Sequence, residues 1–113
     1  MWPFSRGSSG AAVPDVDVRE AFERSRRGAK LVDVRTPAEF RGARVKGARN
    51  VSPEQIKTDA TGLKRDDELL VLCASGHRSS RAARQLTGMG FTNVSNVHGG
   101  LHAWTRAGLP LKK

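Results

Sequence analysis

From Asp15 onward, short apolar runs alternate with helix-opening signals, and few folds accept that order. The runs are Leu31-Val32-Asp33-Val34, Leu69-Leu70-Val71-Leu72 and Val94 to Val97. They read as near-continuous apolar strands, so both faces of the sheet they form are expected to be covered. Between them stand the openings of helices. Asp17 with Glu20 makes a capping-box pattern for a helix carrying Val18, Ala21 and Phe22 and ending near Gly28. Thr36-Pro37-Ala38-Glu39 joins an N-cap, a first-turn proline and an N3 carboxylate, and Ser52-Pro53-Glu54-Gln55 repeats the device after Ala48 to Val51. A further helix is predicted from Ser79 to about Thr87, closing at Gly88 and Gly90, and a last one from Leu101 to Ala107 before Gly108 and Pro110. The pattern predicts an α/β sandwich with a central parallel sheet, whose chemistry collects in loops at the carboxyl ends of the strands.

The 113 residues suit one domain, assigned to 15–113, behind a flexible N-terminal tail over 1–14 that holds Gly7-Ser8-Ser9-Gly10 with Trp2 and Phe4. No apolar run approaches the ~20 residues of a membrane span, nor does the N-terminus carry a secretory signal. A cytoplasmic location without membrane association is therefore expected. The net charge of +9 favours anionic partners. Only six aromatics occur, none interleaved with a basic tract, so nucleic-acid binding lacks a stacking platform. With a single cysteine, no intramolecular disulfide or cysteine-rich zinc site can form. Such a cysteine is either a small buried apolar residue or a reactive one.

Its neighbours decide between the two. Cys73 ends the most apolar strand, and Ala74, Ser75, Gly76, His77, Arg78 and Ser79 follow it into a helix. A short loop with a glycine turns successive N–H groups inward as an anion-binding nest. The helix beginning near Ser79 adds unpaired N–H groups and the positive end of its dipole. Arg78 supplies a guanidinium able to clamp an oxyanion. All of these favour negative charge at one point, so a Cys73 thiolate, titrating below the free value of ~8.5, is expected.

Cys73-Ala74-Ser75-Gly76-His77-Arg78-Ser79 resembles the active-site loop of the rhodanese family. Asp33-Val34-Arg35 with Glu39-Phe40, then Gly47-Ala48 and Asn50-Val51, resembles that family's first signature. Val97-His98-Gly99-Gly100-Leu101-His102-Ala103-Trp104, with Ala107-Gly108-Leu109-Pro110, resembles its C-terminal signature. The likeness covers about residues 15 to 111. Where the family often has Gly-His-Ile, this chain has Ala43-Arg44-Val45, which bears on local packing rather than on chemistry.

The resemblance implies a rhodanese-like three-layer sandwich and a thiosulfate sulfurtransferase. Cys73 attacks the outer sulfur of thiosulfate or a similar small anionic donor, sulfite leaves, and cyanide or a thiol takes the sulfur from the persulfide. Loop N–H groups and Arg78 hold the donor's oxyanion end and then the persulfide. Asp33 either pairs with the loop or its arginine, as the resemblance implies, or ends a strand with no special partner. Arg35 either helps to bind substrate or pairs with Glu39 across a helical turn, the latter being favoured. Ser75 either offers a hydroxyl to the persulfide or suits a turn, and His77 could move a proton, although a stabilised thiolate needs no base. His98 and His102 lack a third ligand, so no metal or other cofactor is expected, and Trp104 is expected to anchor the last helix in the core.

Two other functions share these features. A sulfur-relay or partner-binding module without independent turnover would keep Cys73 and Arg78, with a sulfur-relay protein as partner. A cysteine phosphatase or arsenate reductase uses the same thiolate, nest and arginine, but with one residue more between them than the four (Ala74 to His77) found here.

Overall fold

Successive side chains of the strand Glu68–Leu72 (β5) serve two different cores. Leu69, Val71 and the following Cys73 join one apolar cluster, whereas Leu70 and Leu72 join another. A strand with period-2 side chains can be apolar throughout only if both faces are covered, and here they are. The computed structural model describes residues 12–113. Five strands form a parallel sheet in the order β1-β6-β5-β2-β4, where β1 is Asp15–Val16, β2 Lys30–Asp33, β4 Arg49–Asn50 and β6 Asn93–Val97. The predicted three-layer α/β sandwich with a central parallel sheet is the fold observed.

Helices α1 (Val18–Arg26) and α5 (Gly100–Arg106) cover one face, contributing Val18, Ala21 and Trp104 to the cluster that holds Leu70 and Leu72. On the other face α3 (Pro53–Lys57) and α4 (His77–Gly88) bring Ile56, Ala82, Ala83 and Leu86 against Leu69 and Val71. Trp104 anchors α5 as expected: its ring meets Phe22 edge-on, with centroids 5.9 Å apart, and its N–H donates to Pro110 O at 3.0 Å. The short helix α2 (Pro37–Gly42) sits at the carboxyl end of the sheet. Thr36 and Ser52 both close complete capping boxes, so each fixes the first turn behind a strand end.

Three differences from the sequence reading have local causes. A second, antiparallel sheet pairs β3 (Arg44–Val45) with β7 (Leu111–Lys112), fastening the C-terminus beside α2. Helix α4 opens at His77 rather than near Ser79, because Gly76 takes the left-handed conformation (φ 108°) as its N-cap. The packed structure also starts ahead of Asp15. Val13 lies against the core, and Pro14 O accepts from Asn96 N–H at 2.9 Å. The rest of the expected tail, residues 1–11 with Trp2 and Phe4, lies outside the described residues. Among the described residues no helix is long and apolar enough to cross a membrane.

Candidate active site

The loop after β5 is held by its carbonyls. Leu101 N–H donates to Cys73 O at 2.8 Å and His102 N–H to Ala74 O at 3.0 Å, so the first turn of α5 is capped by the loop. A peptide plane whose carbonyl faces one way turns its N–H the other way. Fixing Ala74 O towards α5 therefore turns the Ser75 N–H away from α5, where it helps to lower the Cys73 thiol. Only a bare backbone fits beneath the loop: a Cβ on Gly100 would lie 2.3 Å from Cys73 O and 2.9 Å from the Ala74 carbonyl carbon.

Helix α4 has no side-chain cap on its own N-terminus. Cys73 Sγ takes that place, accepting the N–H of Gly76 at 3.1 Å, and the N–H groups of Ser79 and Ser75 lie near enough to lower its thiol. Ser79 is the third residue of α4, the position whose N–H an N-cap side chain ordinarily receives. Cys73 has no exposed surface. Burial pushes its thiol up, while hydrogen bonds from Ser79, Gly76 and Ser75 push it down, and the net direction is below the ordinary thiol value.

The Ser79 hydroxyl carries one hydrogen and has two claimants, the sulfur and Asn96. It lies 2.6 Å from Asn96 Oδ1, and Asn96 Nδ2 donates to Asp15 Oδ1 at 2.9 Å, which orients the amide with its oxygen towards Ser79. The hydroxyl hydrogen thus belongs to Asn96, and the backbone amides are the constant donors to the sulfur.

Arg78 and the carboxylates are arranged differently from the expectation. Arg78 gives both Nη atoms to Glu39, at 2.9 and 3.1 Å, a bidentate pair at the surface. That fork and the Thr36 N–H hold the Glu39 carboxyl down at about 2. Asp33 meets neither the loop nor Arg78. It is fully buried and takes three side-chain bonds from Arg35, at 2.9 to 3.1 Å, plus the Arg35 N–H at 2.9 Å. The expected Arg35–Glu39 pair is accordingly replaced: Arg35 reaches only the backbone O of Glu39, at 3.4 Å, and Ala43 O at 2.7 Å. Asp33 and Arg35 stitch the end of β2 to the C-terminal turn of α2, and α2 in turn presents Glu39 to Arg78.

Ser75 and His77 are exposed and bonded to each other, Oγ to Nδ1 at 3.2 Å, so Ser75 offers the sulfur its N–H and not its hydroxyl. Ala74 serves through its carbonyl alone. His98 and His102 are both exposed, and among the described residues no group of three or more His, Cys, Asp or Glu could hold a metal. Asn96 and Glu39 were missed as members of the site. Asn96 carried a usable signal, since an amide on the inward side of a buried strand requires a polar partner.

The site consists of a cysteine sulfur lodged against backbone N–H groups at a helix N-terminus, an arrangement able to stabilise a thiolate or its persulfide. Residues 15–107 match the Rhodanese-like domain family. A protein of Bacillus subtilis, uncharacterized, is 38% identical over 85 residues, spanning 75% of this chain and 68% of its own length. A thiosulfate sulfurtransferase of Vibrio cholerae is 35% identical over 98 residues (87% and 92% of the two chains), and a chloroplastic one of Arabidopsis thaliana 34% over 109 (86% and 91%). The crystal structure of a rhodanese-related protein from Thermoplasma volcanium superposes with a TM-score of 0.79 at 26% identity, covering 88% of this chain and 97% of that one.

Proposed function

Because the chain belongs to the rhodanese-like domain family, we propose that it is a sulfurtransferase that moves sulfane sulfur from thiosulfate or a similar donor to a thiophilic acceptor through a Cys73 persulfide. The observation that carries this reading is the Cys73 sulfur acting as the cap of α4. The Cys73 thiolate attacks the outer sulfur of thiosulfate, a sulfur–sulfur bond forms, the donor's own sulfur–sulfur bond breaks, and sulfite leaves with its electron pair. The amides of Ser75, Gly76 and Ser79 face charge on sulfur at every stage, so they need no rearrangement as charge moves. Arg78, set by Glu39, still has N–H groups outside that pair for the donor's oxyanion. The similarly matched thiosulfate sulfurtransferases support this substrate class.

The test is to incubate the protein with thiosulfate, determine its intact mass, and then add cyanide. A gain of one sulfur atom, absent in Cys73→Ser and lost to cyanide as thiocyanate, is the expected outcome. Because Cys73 has no exposed surface, the same measurement establishes that the donor reaches it. Charging without release to cyanide would instead mark a relay module that gives its sulfur only to a partner protein. No charging at all would remove the persulfide mechanism.

A further inference from the structure

Arg78 shares its charge with Glu39, and one turn further along α4 stands a second cation, Arg81. Arg81 is exposed, and among the described residues no carboxylate pairs with it. Residues 1–11 contain no Asp or Glu. Arg78 and Arg81 together line a groove of about 140 Å³ whose other walls are Val34, Pro53, Ala82 and Gln85. Two of its walls, Val34 and Ala82, belong to the apolar cluster that also holds Cys73. Val34 follows β2 and its N–H donates to Leu72 O at 3.0 Å, which places it on the strand end beside Cys73.

We propose that this groove is the acceptor subsite, and that it takes a small thiol whose carboxylate is bound by Arg81. The proposal rests on the sulfurtransferase reading and names its second substrate. The volume of about 140 Å³ is enough for a short methylene chain. Val34, Pro53 and Ala82 suit the methylenes, and the guanidinium suits the carboxylate. The acceptor enters as a thiol, and as its sulfur attacks the outer sulfur of the Cys73 persulfide anion it passes its proton to that outer sulfur. A new sulfur–sulfur bond forms, the Sγ–S bond breaks, and its electron pair returns to Cys73, whose thiolate the loop amides receive. The acceptor leaves as a hydropersulfide that keeps the proton it brought in.

Two other cavities suit such a ligand less well. One of about 200 Å³ flanks the loop on its other side, but Asp15 lines it and opposes an anion. A larger one of about 350 Å³ lies around Lys30 and Lys46 at the amino end of β2, whereas Cys73 follows the carboxyl end of the neighbouring β5.

The experiment compares 3-mercaptopropionate, its neutral amide and cyanide as acceptors from the thiosulfate-charged protein, in wild type, Arg81→Gln, Arg81→Lys and Arg84→Gln. Arg84→Gln removes the same charge from the same helix, outside the groove, and so controls for the general field. For wild type a lower KM is expected for the carboxylate than for the amide. Arg81→Gln should raise the KM for 3-mercaptopropionate about tenfold, leave the amide and cyanide within about twofold, and be partly rescued by lysine. Arg84→Gln should behave as wild type. Equal KM values for acid and amide in wild type, or equal losses in the two glutamine variants, overturn the groove while leaving the sulfurtransferase standing. If the charged wild type transfers sulfur to none of the three, the groove falls and the relay module stands in place of independent turnover; if it does not charge, the persulfide mechanism falls as well.

Discussion

A single atom, Cys73 Sγ, takes up hydrogen bonds that an uncapped helix would otherwise leave open, and its protonation is tied to that duty. Hydrogen bonds outweigh burial, so the thiol titrates below its ordinary value. Since it is the only cysteine of the chain, thiolate absorbance near 240 nm reports it alone. We expect a midpoint below the ~8.5 of a free cysteine in the folded protein, rising to that value in denaturant. The sign for stability follows. A thiol whose folded value is lowered adds stability in full above the unfolded value and loses it as pH falls through the folded one. Ser79→Ala should move the midpoint little, because the hydroxyl hydrogen goes to Asn96 at 2.6 Å and the amides remain. A midpoint restored to that of a free cysteine in Ser79→Ala would assign the effect to the hydroxyl instead. The sequence made the Cys73 loop legible because its parts are contiguous. It hid the Glu39–Arg78 and Ser79–Asn96 pairs, which are set by packing between separate elements.

Elements with local signals were readable, and those without were not. The Thr36 and Ser52 capping boxes lie within four residues each, and both helices open where their caps stand. The strands Asp15–Val16, Arg44–Val45 and Leu111–Lys112 are two residues long and exist only through their partners, so no periodicity announces them. The early start of α4 was hidden for a related reason: its cap is a sulfur reached through a left-handed glycine rather than a polar side chain at the N-cap. Helix α5 is the converse case, being capped by the carbonyls of Cys73 and Ala74. Gly100→Ala therefore puts a methyl against those carbonyls and should cost on the order of 1–3 kcal/mol as an overpacked site. It should also abolish sulfur transfer by tilting the loop amides. Gly108→Ala is the control, with φ of 71° but nothing within 4 Å of an added Cβ. It should cost about 1 kcal/mol of backbone strain and keep wild-type activity. Urea unfolding and thiosulfate charging of both variants separate the two effects. Equal activity in both would show that the contact with α5 does not set the cradle.

Charge is the property the molecule carries as a whole. At +9 the folded chain repels itself, and its few carboxylates offset that repulsion where they pair. Three of them are lowered. Glu39 is held at about 2 by the Arg78 fork and the Thr36 N–H. Asp59 is lowered by Arg65, and Asp67 by the Lys64 N–H and then by Lys30. A carboxylate whose folded value is depressed contributes fully above its unfolded value, ~4 for Asp and Glu, and loses that contribution as pH falls to the folded one. Each pair is exposed and individually modest, but every proton taken up also adds to the existing positive charge. The urea midpoint should thus be nearly flat from pH 7 to about 5 and fall steadily towards pH 2. Glu39→Gln should be less stable than wild type at pH 7 and should converge on it near pH 2, since only the wild-type carboxylate is then being lost. A constant gap between the two proteins across that range would mean that the side chain acts by shape and not by charge. Salt added at pH 3 should restore part of the lost stability, because at that pH repulsion is being screened and few ion pairs remain to weaken.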